Sequence, residues 1–224
     1  MKWEIKKESF YDFILTNNVI GFYKQPVKLK SGRMSPYYVN WRIISEDVYL
    51  LDQLTDFLLL YVEYLKISPN SFYGVPEGAT KLGIIMQYKW AKKSQNYRSG
   101  SFTLSMGRGK QKNHGELKDR WYLGVPKGDV VILEDVTTTG GSLIQTIEQL
   151  QLMNINVIGC IALTNRNEIR EDGKSVDQVI SEKGVRYYAM SSIIDLLPRL
   201  NPSKEIVSLI EKYYAKYGTR SIQF

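Results

Sequence analysis

A run of four apolar residues, Val130, Val131, Ile132 and Leu133, stops abruptly at two acids, Glu134 and Asp135. Val136 follows, then Thr137, Thr138 and Thr139, then Gly140, Gly141 and Ser142 at the start of an amphipathic stretch. Each part has a chemical use. Paired glycines let a backbone turn sharply and approach a ligand. The free amides and positive dipole end of a helix suit a phosphate, and the threonine and serine hydroxyls add donors. Two adjacent carboxylates would repel a bare phosphate. They make sense if they hold sugar hydroxyls, or a Mg²⁺ that a sugar and a pyrophosphate share. An acidic turn capped by Ser142 would account for any one of these features. Their coincidence at a single strand-to-helix junction argues for a ligand site. The segment is not a P-loop, because the lysine of that motif is missing.

A second cluster of chemically able residues lies in residues 108–120, which carry Arg108, Lys110, Lys112 and the only histidine, His114. The chain as a whole has a formal charge of +7, with 30 basic against 23 acidic residues. Such an excess first suggests nucleic acid. Here the basic residues concentrate in one glycine-containing stretch, which fits a local trap for a small polyanion better than a groove-binding stripe. A histidine in a polar loop has no core to serve.

Elements are needed to position these groups. The hydropathy pattern predicts an opening amphipathic helix bearing Phe10, Phe13, Ile14 and Leu15, ending near Asn17 and Asn18. Turn pairs in residues 27–41 predict a small β hairpin. Further on, helices are expected over residues 47–65, 81–92, 142–153, 193–197 and 202–217. Strands are expected over 71–75, 102–106, 129–133, 157–163 and 185–190, and a long polar loop over 107–124. Apolar strands alternating with amphipathic helices indicate an α/β fold with a parallel sheet flanked by helices. The opening helix and hairpin do not fit that alternation and are expected to cap one end. Residues 1–224 read as a single domain in which residues 1–45 form this hood. Ligands of open parallel sheets sit beyond the carboxyl ends of the strands, where strand order reverses, so chemistry is expected in the loops after Val75, Met106, Leu133 and Leu163.

No apolar run approaches the ~18 residues that span a bilayer, and the lysine-rich start has no apolar segment behind it, so neither a membrane partner nor a signal peptide is expected. The one cysteine, Cys160, can form neither an intrachain disulfide nor a cysteine-rich zinc site. A cytoplasmic location fits these features.

The segment EDVTTTGGS, residues 134–142, resembles the phosphoribosyl pyrophosphate (PRPP) signature of the type I phosphoribosyltransferases. Three more segments are similar to the orotate phosphoribosyltransferase family. LKSGRMSPYYVN, residues 29–40, looks like its hood motif. RGKQKNHGE, residues 108–116, resembles its mobile catalytic loop. ALTNRNE, ending just past Arg166, resembles the segment whose arginine holds the base. Motif order and approximate spacing agree over nearly the whole chain.

The resemblance implies transfer of ribose 5-phosphate from PRPP to orotate with Mg²⁺, giving orotidine 5′-monophosphate and pyrophosphate in pyrimidine synthesis. It implies Glu77, Gly78, Arg108, Lys110, Lys112, His114, Glu134, Asp135, Val136, Thr137, Thr138, Thr139, Gly140, Gly141 and Ser142 as PRPP-binding residues. Lys30, Tyr37, Tyr38, Thr138 and Arg166 would bind orotate. Lys112, His114 and Asp135 would be catalytic, with Asp135 a candidate ligand of the PRPP-bound Mg²⁺. A homodimer sharing its mobile loop across subunits is implied as well.

Several positions depart from the pattern. The family's lysine after the loop arginine is Gly109, and Lys110 stands where an acid is common. Asn113 replaces an aspartate. Glu77 and Gly78 stand where many relatives carry tyrosine with lysine or a small residue, and Glu134 replaces a commoner aspartate. Two other readings share the PRPP loop: a phosphoribosyltransferase for a different base, and a non-catalytic PRPP-binding regulator. Retention of Arg108, Lys112 and His114 argues against the regulator, since a pure binder needs no cations around a leaving group.

Overall fold

The structure is a computed structural model that describes residues 2–110, 112–114 and 116–224. The chain opens with α1 (Lys2–Thr16), followed by the hairpin β1 (Ile20–Lys28) and β2 (Met34–Val39), a short α2 (Arg42–Ser45) and α3 (Val48–Leu65). Then come β3 (Ser71–Gly74), α4 (Thr80–Lys93), β4 (Met106–Gly107), α5 (Leu117–Trp121) and β5 (Tyr122–Leu123). The remainder is β6 (Asp129–Thr137), α6 (Gly141–Leu152), β7 (Asn156–Asn165), α7 (Val176–Ser181), β8 (Arg186–Ser192), α8 (Ile193–Leu196), a 3₁₀ turn (Pro198–Leu200) and α9 (Lys204–Tyr217).

Strands β3, β6, β7 and β8 form a parallel sheet in that order. Side chains alternate across its two faces, as the pleat requires. Phe72, Val131, Leu133, Ile161 and Leu163 face one core, shared with Phe10, Leu54, Leu58, Met86, Leu196 and Ile210 from helices α1, α3, α4, α8 and α9. Tyr73, Val130, Ile132 and Cys160 face the other, shared with Leu143, Ile147 and Leu150 of α6 and Ile180 of α7. Burial pushes the Cys160 thiol well above its usual range. Local signals set the helix ends. The Asp47 carboxylate accepts from Leu50 N at 2.9 Å, and Ser175 with Gln178 forms a capping box. The Gly74–Gly83 contact sets how close α4 lies to the sheet: a Cβ on Gly83 would stand 2.8 Å from Gly74 Cα. No helix among the described residues is long and apolar enough to cross a membrane.

The structure corrects several expectations. The strand expected over 102–106 shrinks to Met106–Gly107, which pairs antiparallel with Tyr122–Leu123. The Gln87 side chain explains this. Its Oε1 accepts from Phe72 N at 2.9 Å and its Nε2 donates to Thr103 O at 2.9 Å, so a side-chain amide stands where a strand ladder would form. The loop expected over 107–124 is closed at its base by that short ladder and contains α5. The hairpin begins at Ile20, earlier than expected, where Ile20 pairs with Val39, and its register shifts between Phe22 and Val27, the stretch that holds Pro26. Strand β6 runs past Leu133 to Thr137, so both acids lie on the strand. The described sheet shows no reversal of strand order. Instead α4 and α6 lie on opposite faces, so the chain leaves β3 and β6 in different directions and a crevice opens between the two loops.

The hood covers the carboxyl ends of the strands. Trp41 Nε1 donates to Thr164 Oγ1 at 3.0 Å, and Tyr37 is fully buried with its hydroxyl 2.8 Å from that of Tyr214 on α9.

Candidate active site

A cavity of about 430 Å³ lies between the loop after β3, the loop after β6 and the hood hairpin. Its floor is the strand-to-helix junction at residues 134–142. Gly140 takes a left-handed conformation, φ 72°, that a side chain rarely adopts, and its carbonyl accepts the first bond of α6 from Ile144 N at 2.8 Å. The amides opening α6 are therefore turned toward the space that Thr138, Thr139, Gly141 and Ser142 line. From the hood, Lys30 Nζ donates to Ser142 Oγ at 2.8 Å. The Thr139 carbonyl is held from behind by Arg170, whose guanidinium donates to it.

The two acids differ. Glu134 is 7% exposed, and burial, then the neighbouring Asp135 carboxylate, hold its pKa well above the usual range, against a smaller opposing pull from Lys30. Asp135 is half-buried and its Oδ1 accepts from Val136 N at 2.8 Å. Its carboxylate lies against Gly78, where a Cβ would meet Asp135 Cγ at 2.8 Å. Gly78 thus supplies the room that Asp135 occupies. Gly109 does the same for Glu77, since a Cβ there would meet Glu77 Cδ and Cγ at 3.0 Å. Two positions that departed from the family pattern are in contact with each other.

These oxygens bear on magnesium. Among the described residues no group of three or more His, Cys, Asp or Glu side chains is placed to hold a metal. Mg²⁺ bound through one or two carboxylates and completed by substrate phosphates and water needs no such cage. Glu134 and Asp135, hard oxygen donors side by side in the cavity wall, fit that shared mode.

The structure brings together Lys30, Tyr38, Glu77, Gly78, Glu134, Asp135, Val136, Thr138, Thr139, Gly140, Gly141, Ser142 and Arg166 in the walls of one cavity. Others fall elsewhere. Tyr37 does not line it: its ring packs 6.4 Å from that of Tyr214, centroid to centroid, and 4.0 Å beneath the Arg166 guanidinium, so packing claims it. The Thr137 hydroxyl is turned away to Tyr187. Arg108, Lys110, Lys112 and His114 do not line the cavity of their own chain. The Arg108 backbone is tied to Trp121 O at 2.8 Å and that of Lys112 to Arg120 O at 3.1 Å, on the exposed β4–α5–β5 excursion. Gln111 and Gly115 of the same motif lie outside the described residues.

Arg166 lines the cavity yet is 1% exposed, with Nε donating to Glu168 Oε1 at 2.7 Å and Nη2 to Ser35 Oγ at 2.8 Å. Burial opposes its charge, but Tyr37 and Glu168 beside it hold it protonated. Sequence reasoning passed over Ser31, Arg42 and Gln145, which also line the cavity, and the supports Glu168, Arg170 and Arg33. Ser31 stands inside the hood motif, and its buried hydroxyl has no hydrogen-bond partner among the described residues. Arg42 and Gln145 carry no signal that separates them from surface residues.

Comparison with known proteins agrees with this geometry. No family model matches the sequence. The orotate phosphoribosyltransferase of Methylococcus capsulatus is 28% identical over 217 residues, 95% of this chain and 98% of the relative. The crystal structure of orotate phosphoribosyltransferase from Francisella tularensis superposes with a TM-score of 0.67 at 21% identity, covering 94% of this chain and all of the other. That of Mycobacterium tuberculosis in complex with PRPP gives 0.57 at 16% identity, over 85% and 98%. The fold is that of these phosphoribosyltransferases of known structure, and the sequence is similar along nearly its whole length to orotate phosphoribosyltransferases.

Proposed function

We propose that the chain transfers the phosphoribosyl group of PRPP to orotate, releasing pyrophosphate and forming orotidine 5′-monophosphate for pyrimidine synthesis. The observation that carries this reading is the joining of two motifs in one cavity, where Lys30 of the hood donates to Ser142 of the phosphate loop at 2.8 Å. The amides and hydroxyls at the start of α6 would bind the 5′-phosphate. Asp135 and Glu134 would hold the ribose hydroxyls together with Mg²⁺, whose contribution when bound is to offset charge on the pyrophosphate. Lys30, Tyr38, Thr138 and Arg166 would orient the flat, anionic base; the guanidinium offers a planar fork to a carboxylate or carbonyl.

In the reaction the anomeric carbon loses its bond to a pyrophosphate oxygen and gains one to a ring nitrogen, which gives up its proton. Cations near the departing pyrophosphate lower that barrier. The cations on residues 108–114 lie outside the cavity of their own chain, which supports a homodimer in which the loop of one subunit, carrying Arg108, Lys110, Lys112 and His114, closes over the site of the other. One continuous core from Trp3 to Ile222 supports reading residues 1–224 as a single domain with residues 1–45 as its hood. The buried, lone Cys160 is compatible with a cytoplasmic location.

The test is loss of orotate absorbance on adding PRPP and Mg²⁺ to purified protein. Turnover of a purine or uracil in place of orotate would refute the substrate and leave the class. No turnover of any base, with steeply salt-dependent RNA binding, would favour a regulator.

A further inference from the structure

Behind the cavity lies a buried ionic relay that the reaction scheme above does not use. Glu168, just past β7, has a fully buried carboxylate. One oxygen, Oε1, accepts from Arg166 Nε at 2.7 Å and from the Tyr213 hydroxyl at 3.0 Å. The other, Oε2, accepts at 2.7 Å from Arg33 Nη1, in the turn of the hood hairpin. Arg33 also donates from Nη2 to Ile169 O at 2.6 Å and stacks 4.5 Å over the Tyr217 ring. The backbone of this segment is strapped to the end of α9: Ile169 N donates to Tyr217 O at 2.7 Å and Thr219 N to Asn167 O at 2.8 Å. The Tyr214 hydroxyl caps Arg166 O at 2.6 Å.

A buried ion pair is weak evidence for stability, because desolvation offsets most of the attraction. What it does supply is direction. Glu168 takes the Nε edge of Arg166 while Ser35 takes Nη2, and the Tyr37 ring closes one face at 4.0 Å. The edge of the guanidinium at Nη1 makes no hydrogen bond to the described residues, and Arg166 lines the cavity. All three constraints on the guanidinium come from residues outside the cavity lining, and among the described residues they leave the Nη1 edge without a hydrogen bond.

We infer that Glu168 is the positioning residue of the base site: bridging Arg33 and Arg166, it sets the orientation of the Arg166 guanidinium toward a planar anionic base and couples that orientation to the seating of the hood. The inference rests on the functional reading above in taking Arg166 as a base contact. Glu168 itself touches no substrate. Its side chain makes no hydrogen bond to the phosphate loop, so its loss is expected to act on base affinity more than on PRPP.

Steady-state kinetics of wild type, Glu168→Gln and Tyr213→Phe, with orotate and PRPP varied separately, tests this. In Glu168→Gln the KM for orotate is expected to rise about tenfold or more, with the KM for PRPP within about twofold and kcat changed less than the orotate KM. Tyr213→Phe removes one hydrogen bond to the same carboxylate and is expected to raise the orotate KM by about two- to fivefold. A folded Glu168→Gln enzyme with an unchanged orotate KM, or with both KM values raised together, overturns the inference. If that variant does not fold, an unchanged orotate KM in Tyr213→Phe overturns it. Failure of the functional reading would show separately, as a wild-type enzyme that uses another base, and the same ratio of KM values measured with that base then decides the role of Glu168.

Discussion

Replacing Gly78 by alanine probes the site through a single methyl group. The added Cβ would lie 2.8 Å from Asp135 Cγ and 2.9 Å from Oδ1, about 1 Å inside the ~3.5–4.0 Å optimum for non-bonded carbons. The Gly78 backbone is held by the turn into α4, where Ala79 N donates to Val75 O at 3.1 Å and Gly83 N to Ala79 O at 2.9 Å. The Asp135 side chain therefore has to yield, and its bond to Val136 N at 2.8 Å weakens or breaks as it turns. Overpacking of this kind costs ~1–3 kcal/mol, and every tenfold in rate corresponds to ~1.4 kcal/mol. With Asp135 as the ribose and metal contact, kcat/KM for PRPP should fall roughly 10- to 100-fold by this conversion. The melting temperature should fall only by ~2–4 °C per kcal/mol for a chain of this size. The assay is orotate depletion at varied PRPP beside a thermal melt. A variant with kcat/KM for PRPP within twofold of wild type would show that the Asp135 carboxylate is free to move without consequence, and the argument for its role would fail.

The other predictions concern the loop and the core. Lys112→Ala should lower kcat much more than it weakens PRPP binding, because a leaving-group contact matters most in the transition state; equal turnover numbers would remove Lys112 from the mechanism. Mixing Lys112→Ala subunits with Asp135→Asn subunits should restore activity if each loop serves the other subunit's site, and verified heterodimers with no gain would count against sharing. Burial raises the Cys160 thiol above its ordinary value of 9.0, so this group contributes stability below pH 9 that is lost as pH rises further, when the unfolded chain ionises and the folded one does not. Native protein should resist alkylation at pH 8 and react only on unfolding, as thiol titration would show; prompt labelling of the native protein would refute the buried assignment.

Much of the architecture was legible because local chemistry and the sheet agree. The apolar run at residues 130–133 followed by two acids and a glycine turn reads as strand, then helix, and the structure extends the strand only as far as Thr137. Helix α3 begins at its Asp47 cap, as its sequence implies. Where local pattern failed, a long-range partner had intervened. Residues 102–106 look like a strand, but Gln87, 16 positions before Thr103, takes the hydrogen bond that a ladder would have used. The two-residue ladder between β4 and β5 is too short for any periodicity to announce.

The chemical inventory of the site was a property of the sequence alone. A phosphate nest, paired acids and a loop of cations are each contained in one short segment, and hydrogen-bonding capacity and charge belong to residue types wherever they fold. Which groups face the ligand was decided by the tertiary structure. Tyr37 and Tyr38 are adjacent and chemically alike, yet alternation along β2 turns one into the core and the other into the cavity wall. Arg166 carries no local sign of its burial, which comes from Glu168 two residues on and from Ser35 and Tyr37 of the distant hood hairpin. Residues 33, 168 and 213 share no local pattern. Only the folding of the hood and the last helix onto the same strand end brings their side chains within hydrogen-bonding distance.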